Sequence, residues 1–101
     1  SEMCIRDRSY ILGSGGVKIG KYCNISQGVK IYSKSNDYKT KKKTTYKAKV
    51  VISDNCIIGS NVVILPGSKL NENVRIGALT LVNKEIKSNR LYFGKKTKNL
   101  N

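Results

Sequence analysis

The chain has 101 residues, enough for one small domain, and its 20 Lys and Arg against 6 Asp and Glu give a formal net charge of +14. It contains no run of roughly 18 apolar residues, which excludes a predicted transmembrane helix, and no signal-peptide pattern, so a cytoplasmic location is the default expectation. Histidine is absent and the three cysteines lack a Cys-x-x-Cys spacing, so the sequence predicts no metal site.

The first eight residues, SEMCIRDR, resemble the translated end of a sequencing adapter. We therefore expect residues 1–8 to be foreign to the domain, which we place at residues 9–88, and we expect the chain to be a fragment. Residues 9–16, SYILGSGG, are interpreted as the remnant of an earlier turn of the fold. Residues 89–101 form a predicted C-terminal tail.

The basic residues after position 8 are 16 Lys and only two Arg, Arg75 and Arg90. Abundant Lys, Asn and Ile are typical of an AT-rich genome, and Arg grips phosphate better than Lys does. Nucleic acid is therefore an unlikely partner. The lysine-rich stretch at residues 37–49 is interpreted as a solvated loop or as a basic lip that attracts anions, either phosphates or an acidic polysaccharide.

Apolar residues recur every six positions on both sides of this stretch. Neither a helix, with a period of about 3.6, nor a plain strand, with a period of 2, explains such spacing. It fits short strands joined by tight corners, although evenly spaced sandwich strands are the alternative. The repeated positions, which we call anchors, are Ile19, Ile25, Ile31, Ile52, Ile58, Ile64, Leu70, Ile76 and Val82.

A second column of small or β-branched residues follows four positions after the anchors. Three strands close a triangular coil of about 18 residues, and stacked coils form a solenoid. We predict coils at residues 19–36, 52–69 and 70–87, with residues 37–49 as an excursion. The second column contains Cys23, Val29, Cys56, Val62, Ser68, Val74, Thr80 and Ile86. Its two cysteines are expected to stack inside the core as reduced thiols.

The hexads resemble the left-handed β-helix of the hexapeptide-repeat acyltransferases. Residues 50–86, VVISDNCIIGSNVVILPGSKLNENVRIGALTLVNKEI, are similar to the maltose and galactoside O-acetyltransferase branch. The chain departs from that branch at Ile57, at Lys87 and Ser88, at Tyr92 and Phe93, and at Lys96. The resemblance implies an all-β, left-handed parallel β-helix, acetyl-CoA as co-substrate, a sugar or polysaccharide acceptor, and a homotrimer with its active site between adjacent subunits.

The loop IYSKSNDY at residues 31–38 aligns with a family loop that carries the catalytic histidine, and Asn36 occupies the histidine position. A hydroxyl needs a base to attack a thioester, and asparagine cannot accept the proton. Asp37 is the candidate replacement. Three interpretations stay open: an O-acetyltransferase with an impaired or rerouted base, a non-catalytic binding protein, and a truncated solenoid without activity. Asn36 and Asp37 also suit an ordinary turn.

The resemblance further implies cofactor-binding residues at the coil corners. Gly59, Ser60, Gly77 and Ala78 are expected to face the pantetheine arm of CoA, although glycine also serves the corner itself. Lys84 and Lys98 match basic positions near the nucleotide end of CoA, although either lysine could equally be a solvated surface residue.

Overall fold

The computed structural model describes residues 3–5, 10–12, 15–36, 45–94 and 96–100. Every element among these residues is a short β-strand, and none of them forms a helix that is long and apolar enough to cross a membrane. The strands are β1 Met3–Ile5, β2 Tyr10–Leu12, β3 Val17–Ile19, β4 Cys23–Ile25, β5 Lys30–Tyr32, β6 Lys34–Asn36, β7 Thr45–Lys47, β8 Val50–Ile52, β9 Ile57–Ile58, β10 Val63–Ile64, β11 Lys69–Leu70, β12 Arg75–Ile76, β13 Leu81–Val82, β14 Glu85–Ile86, β15 Arg90–Phe93 and β16 Lys96–Asn99.

The strands form the three faces of a parallel β-helix. Sheet A has the order β1-β4-β9-β12-β15-β16, sheet B the order β13-β10-β5-β2, and sheet C the order β14-β11-β8-β3. Successive strands along the chain visit sheets A, B and C in turn, so each circuit is one coil. Strands in one sheet pair in parallel except for the last pair, β15 with β16, which is antiparallel.

The predicted register is confirmed. Ile52 pairs with Leu70, Ile58 with Ile76, and Ile64 with Val82. The excursion does not disturb the stack, because the anchors before it pair with those after it: Ile19 with Ile52, Ile25 with Ile58, and Ile31 with Ile64. The solenoid prediction therefore holds for residues 19–82.

The anchors and the second column together build one continuous core. The residues of this cluster are Cys23, Ile25, Val29, Ile31, Val50, Ile52, Cys56, Ile58, Val62, Ile64, Leu70, Val74, Ile76, Val82, Ile86 and Tyr92. Three polar residues, Ser33, Ser68 and Thr80, are also buried. The Ser68 hydroxyl lies 2.7 Å from the Leu65 carbonyl and 3.1 Å from the Val82 carbonyl, so its burial does not cost a hydrogen bond.

The placement of Ile86 in the second column was wrong. Ile86 pairs with Leu70 and therefore occupies an anchor position on sheet C. The reason is a short corner: only Asn83 and Lys84 separate β13 from β14, whereas four residues separate β10 from β11. Lys84 consequently falls in the column of Ser68, at the C-terminal end of the triangular prism that the three sheets form.

The corners depend on residues that accept positive φ. Asn55, Asn61 and Asn73 have φ between 57° and 60°. Asparagine tolerates this region better than most residues do. At the corner between β10 and β11, Pro66 precedes Gly67, whose φ is 84°, and the Ser68 amide donates to the Leu65 carbonyl, as in a type II turn.

The excursion begins and ends as an antiparallel hairpin of β6 and β7. Its base is held between coils, because the Ser33 carbonyl accepts a hydrogen bond from the Ala48 amide and the Gly67 amide donates to the Ala48 carbonyl. The Gly15 amide lies 2.9 Å from the Ser33 hydroxyl. The hairpin strands therefore leave the corner between sheets B and C. Residues 37–44 lie outside the described residues.

Both ends of the stack extend beyond the three predicted coils. At the N-terminal end, β1 pairs with β4, β2 with β5, and β3 with β8, which adds a coil. The foreign origin of residues 1–8 stays a prediction, and the structure describes Met3–Ile5 as a strand of sheet A. At the C-terminal end, β15 and β16 occupy the predicted tail.

The two thiols lie inside as expected. Cys23 and Cys56 are free and buried. Cys23 begins β4 and Cys56 directly precedes β9, and because Asn24 pairs with Ile57, the two cysteines stand at equivalent positions one coil apart. Burial raises the pKa of the Cys56 thiol to about 11. The Cys23 sulfur lies 3.1 Å from the Ser53 carbonyl oxygen, and the Cys56 sulfur lies 3.2 Å from the Asn71 carbonyl oxygen.

We expect both thiols to resist labelling in the folded protein. In a Cys4→Ser background, a maleimide or disulfide reagent should modify Cys23 and Cys56 rapidly only after denaturation, because both side chains are buried in the core and the reagent cannot reach them in the folded protein. With a pKa of about 11, only about one per cent of the native Cys56 thiol is ionised at pH 9, whereas about half or more of an unfolded thiol is, so labelling of the denatured protein should stay far faster than labelling of the native protein from pH 7 to 9. Stability should fall as the pH rises from 9 towards 11, because the unfolded thiol ionises first. Equal labelling rates for native and denatured protein would contradict the placement.

Candidate functional site: the corner between sheets A and B

Four of the predicted cofactor-binding residues lie on one edge of the prism. We define the A–B corner as residues 26–28, 59–61 and 77–79, which connect sheet A to sheet B in three successive coils. The Gly59 amide donates to the Ile76 carbonyl at 2.8 Å, and the Leu79 amide donates to the Ser60 carbonyl at 2.9 Å. These bonds bring the Gly59–Ser60 and Gly77–Ala78 pairs together, one coil apart.

The glycines are required by the stacking of the coils. A Cβ on Gly59 would lie 2.7 Å from the Ala78 nitrogen and 2.9 Å from the Ile76 oxygen, both of which are backbone atoms. A Cβ on Gly77 would lie 2.9 Å from the Cβ of Phe93. The close packing of adjacent coils therefore explains why Gly59 and Gly77 are glycines. A contact with a ligand at these positions would be an additional role.

The substitution Gly59→Ala should destabilise the fold by about 1–3 kcal/mol, because the new methyl group must push the backbone of the next coil away. Urea denaturation measures the change in unfolding free energy. Gly94→Ala is the control, since Gly94 has a φ of 59° but a Cβ there would meet nothing within 4 Å. That control should lose only about 1 kcal/mol, the cost of a left-handed alanine. A Gly59→Ala protein as stable as its parent would argue against the close approach.

A polar groove opens beside this edge, with a volume of about 240 Å³. It is lined by Asn24, Ser26, Gln27 and Ser60. Ser60 is one of the predicted residues, but sequence reasoning missed Asn24, Ser26 and Gln27 as candidates. The register of the coils could have identified them. Asn24 is the outward residue of β4, and Gln27 stands one coil from Ser60.

Lys84 lies at a different corner from the four residues above. It connects sheet B to sheet C, and its Nζ lies 4.9 Å from the centre of the Tyr92 ring. This distance is typical of a cation–π contact. Tyr92 is buried and stacks on Ile76, so Lys84 covers the C-terminal end of the core.

Lys98 lies on β16 and faces Leu91 across the antiparallel pair, and its side chain is exposed. Leu91 in turn pairs with Arg75, so all three belong to the same ladder of sheet A. Lys98 therefore lies on β16, the last strand of sheet A. The strands β4, β9 and β12 of the same sheet lead into the A–B corner.

The candidate base positions lie on the hairpin. Asn36 ends β6 and pairs with Thr45, so it leaves the prism at the corner between sheets B and C, whereas the groove lies at the A–B corner. Asp37 falls outside the described residues. Sheet B separates these two corners within one chain.

Two of the three described carboxylates lie at another corner of the molecule, and the third, Glu85, lies on sheet C, where it accepts a hydrogen bond from the Asn71 side-chain amide at 2.9 Å. Asp54 and Glu72 line a groove of about 230 Å³ at the corner between sheets C and A, together with Lys18. The Lys21 amide donates to the Asp54 carboxylate at 2.8 Å. Among the residues that the structure describes, no group of three His, Cys, Asp or Glu could hold a metal ion.

Comparison with known proteins agrees with this architecture. The pattern of the family described as bacterial transferase hexapeptide (six repeats) matches residues 49–84. A dTDP-4-amino-4,6-dideoxy-D-glucose acyltransferase of Escherichia coli is 35% identical over 88 residues, which is 76% of this chain and 45% of that protein. A galactoside O-acetyltransferase of Lactococcus lactis subsp. lactis (strain IL1403) is 41% identical over 54 residues, 54% of this chain and 26% of that protein. The chain thus spans less than half the length of these curated relatives.

A solved structure also shares the fold. AntD, an N-acyltransferase from Bacillus cereus in complex with dTDP and 3-hydroxybutyryl-CoA, superposes with a TM-score of 0.88 at 22% identity, over 97% of this chain and 58% of that chain. The fold is the left-handed parallel β-helix that the resemblance implied. Residues 49–84 thus carry the repeat of the bacterial hexapeptide transferases, within a solenoid of three parallel sheets.

Proposed function

We propose that this chain is part of an O-acetyltransferase that moves an acetyl group from acetyl-CoA to a hydroxyl of a sugar or polysaccharide. The observation that carries the proposal is the A–B corner, where a tightly stacked backbone edge adjoins a groove lined by hydroxyl and amide groups. The curated relatives act on sugars, one as a sugar acyltransferase and one as a galactoside O-acetyltransferase, and this supports the same substrate class here.

The reaction joins the acceptor oxygen to the acetyl carbonyl carbon and breaks the carbon–sulfur bond of the thioester. The hydroxyl proton must pass to a base, and the CoA thiolate takes up a proton as it leaves. In this proposal the exposed edge at Ser60 and Ala78 lies along the pantetheine arm, and Gly59 and Gly77 keep that edge free of side chains. Lys98 supplies positive charge for the CoA phosphates.

The base is the unusual part of the proposal. Each of the four residues that line the groove is an uncharged amide or hydroxyl, and Asn36 replaces the family histidine. Either Asp37 accepts the proton, or the chain accelerates transfer by positioning alone. A carboxylate with an ordinary pKa near 4 is a weak base, so slow turnover is expected.

A homotrimer in the cytoplasm completes the proposal. Leu79 and Leu81 are 79% and 51% exposed, and they lie at and just after the A–B corner, where a second subunit would cover them. In a trimer the hairpin of one subunit could then approach the A–B corner of the next, which would unite residues that a single chain keeps apart. Two reduced, buried thiols agree with a reducing compartment.

The test is release of CoA thiol from acetyl-CoA in the presence of neutral sugars, followed with a thiol reagent, together with sedimentation to establish the oligomer. We expect acceptor-dependent thiol release by a trimer. Tight calorimetric binding of acetyl-CoA by a verified monomer would contradict the site between subunits. Absence of both binding and release would contradict the proposed function.

A second candidate is a non-catalytic protein that binds acetyl-CoA or a sugar without turnover. The replacement of the only expected base by Asn36, in a chain that has no histidine, favours it. Acetyl-CoA binding without acceptor-dependent thiol release would distinguish it from the enzyme.

A further inference from the structure

We propose that the groove lined by Asn24, Ser26, Gln27 and Ser60 is the acceptor subsite, and that it selects a single neutral sugar unit. This inference rests on the proposed function for the identity of its ligand as an acceptor. Its basis is the chemistry, rigidity and position of the groove, none of which requires the missing base.

The chemistry of the lining is neutral. The chain carries a net charge of +14, yet none of the four lining side chains is charged. A phosphate or carboxylate ligand would favour Lys or Arg at this surface. The primary amides of Asn24 and Gln27 and the hydroxyl of Ser60 offer both donors and acceptors, which matches the donor and acceptor capacity of neighbouring sugar hydroxyls.

The groove has a fixed floor. The backbone amide of Asn24 donates to the Cys56 carbonyl, and the backbone amide of Ser26 donates to the Ile58 carbonyl, both at 2.9 Å. The Asn61 amide donates to the Gln27 carbonyl at 3.0 Å, which ties the two coils together at the groove. The backbone of the groove therefore does not have to rearrange when a ligand binds, and this favours affinity for a weakly binding sugar.

An apolar surface adjoins the polar lining. Ile57 pairs with Asn24 across sheet A, and 41% of Ile57 is exposed. A pyranose ring has hydroxyls at its edge and C–H groups on its faces, so a polar groove beside an exposed aliphatic side chain fits both. The volume of about 240 Å³ lies below the roughly 300–1,000 Å³ typical of pockets for drug-sized ligands. It suits one sugar unit better than a nucleotide-linked sugar.

The position of the groove fits the reaction. Ser60 belongs both to the groove and to the edge proposed for the pantetheine arm. An acceptor in the groove would therefore lie beside the end of the CoA arm, where a hydroxyl must approach the thioester carbonyl. Holding the two reactants together is itself a large part of the acceleration in acyl transfer.

The test is an NMR titration of the full chain with methyl β-galactoside, and then with methyl glucoside. We expect amide shifts around Asn24 and Gln27. Asn24→Ala and Gln27→Ala should each raise the sugar Kd about 2–10-fold, the usual effect of losing a hydrogen bond. Asn83→Ala is the matched control, because Asn83 is an exposed asparagine at the corner between sheets B and C. It should leave the Kd unchanged, and circular dichroism should show the same fold for all variants.

Several outcomes would overturn the subsite. They are an absence of shifts with both glycosides at millimolar concentrations, equal Kd values for the Asn24→Ala and Asn83→Ala proteins, and displacement of the sugar by inorganic phosphate. Failure of the proposed function gives a different result: Asn24-dependent sugar binding without acetyl-CoA binding would leave the subsite standing and remove the transferase. Conversely, acetyl transfer with an acceptor KM unaffected by Asn24→Ala and Gln27→Ala would retain the transferase and overturn the subsite.

Discussion

Asn36→His is expected to raise the rate of acetyl transfer to a sugar hydroxyl tens-fold or more. General-base catalysis is commonly worth about 10²- to 10⁴-fold, and the chain has no histidine to supply it. An imidazole with a pKa near 6.5 is neutral at pH 7.5 and accepts the proton as the thioester is attacked. The rate of the variant should therefore fall as the pH drops below about 6.5, where the imidazole is protonated. Thiol release from acetyl-CoA, measured from pH 5.5 to 8.5, gives both the gain in rate and its dependence on pH.

Two matched variants define what the histidine does. Asn36→Gln keeps an amide at the same position and should give no gain. Asp37→Asn should abolish the residual activity of the parent if Asp37 has become the base, and should leave it unchanged if positioning alone operates. An Asn36→His protein that binds acetyl-CoA but transfers no faster would refute the assignment of position 36, and the hairpin would then be only a surface excursion.

The stacking of the coils could be predicted because the hexad is a local and repeated signal. Each anchor predicts its own neighbour, so the pairing of Ile58 with Ile76 follows from a spacing of 18 residues. Even the pairing of Ile25 with Ile58 across the excursion was recoverable, since both are anchors that begin equivalent faces. Redundancy of this kind makes a solenoid easier to predict than a fold held by single distant contacts.

The ends of the prism could not be predicted in the same way. Where Ile86 lies depends on a corner that is two residues shorter than the others, and the hexad count passes over such a change. The position of Lys84 over Tyr92 depends on the same short corner. A pattern predicts the repeated part of a solenoid, whereas each terminal coil is a separate packing problem.

The candidate site was predicted in part. The family resemblance implied a shared edge, and the structure brings its residues together: Gly59, Ser60, Gly77 and Ala78. The groove was missed because Asn24 and Gln27 are separated from Ser60 by more than 30 residues that include the excursion. Outward residues carry no periodic signal, so only the register brings them together.

Tyr92→Ala is expected to reduce the free energy of unfolding by about 3–5 kcal/mol, the usual loss for a large aromatic residue deleted from a core. Tyr92 is 5% exposed, and its ring covers Ile76 at the C-terminal end of the prism. Removing the ring would admit water to the end of the core. It would also remove the surface that Lys84 contacts, a contribution of about 0.5–2 kcal/mol in proteins generally.

Urea denaturation with three comparison variants separates these effects. Tyr92→Phe keeps the ring and should cost under about 1 kcal/mol. Lys84→Ala should cost roughly 0.5–1 kcal/mol if the cation–π contact is all it provides. Phe93→Ala deletes the neighbouring aromatic residue, which is 41% exposed, and should cost clearly less than Tyr92→Ala.

The same variant connects the end of the prism to the proposed site. The Gly77 amide donates to the Tyr92 carbonyl at 2.9 Å, so loosening β15 removes support from the Gly77–Ala78 edge. Because each coil of a solenoid is stabilised by its neighbours, the last coil should fray first, and the urea m-value should decrease together with the stability. Acetyl-CoA binding should then weaken before the rest of the fold is lost. A Tyr92→Ala protein with the stability and m-value of its parent would show that the end of the core is closed by something other than this ring.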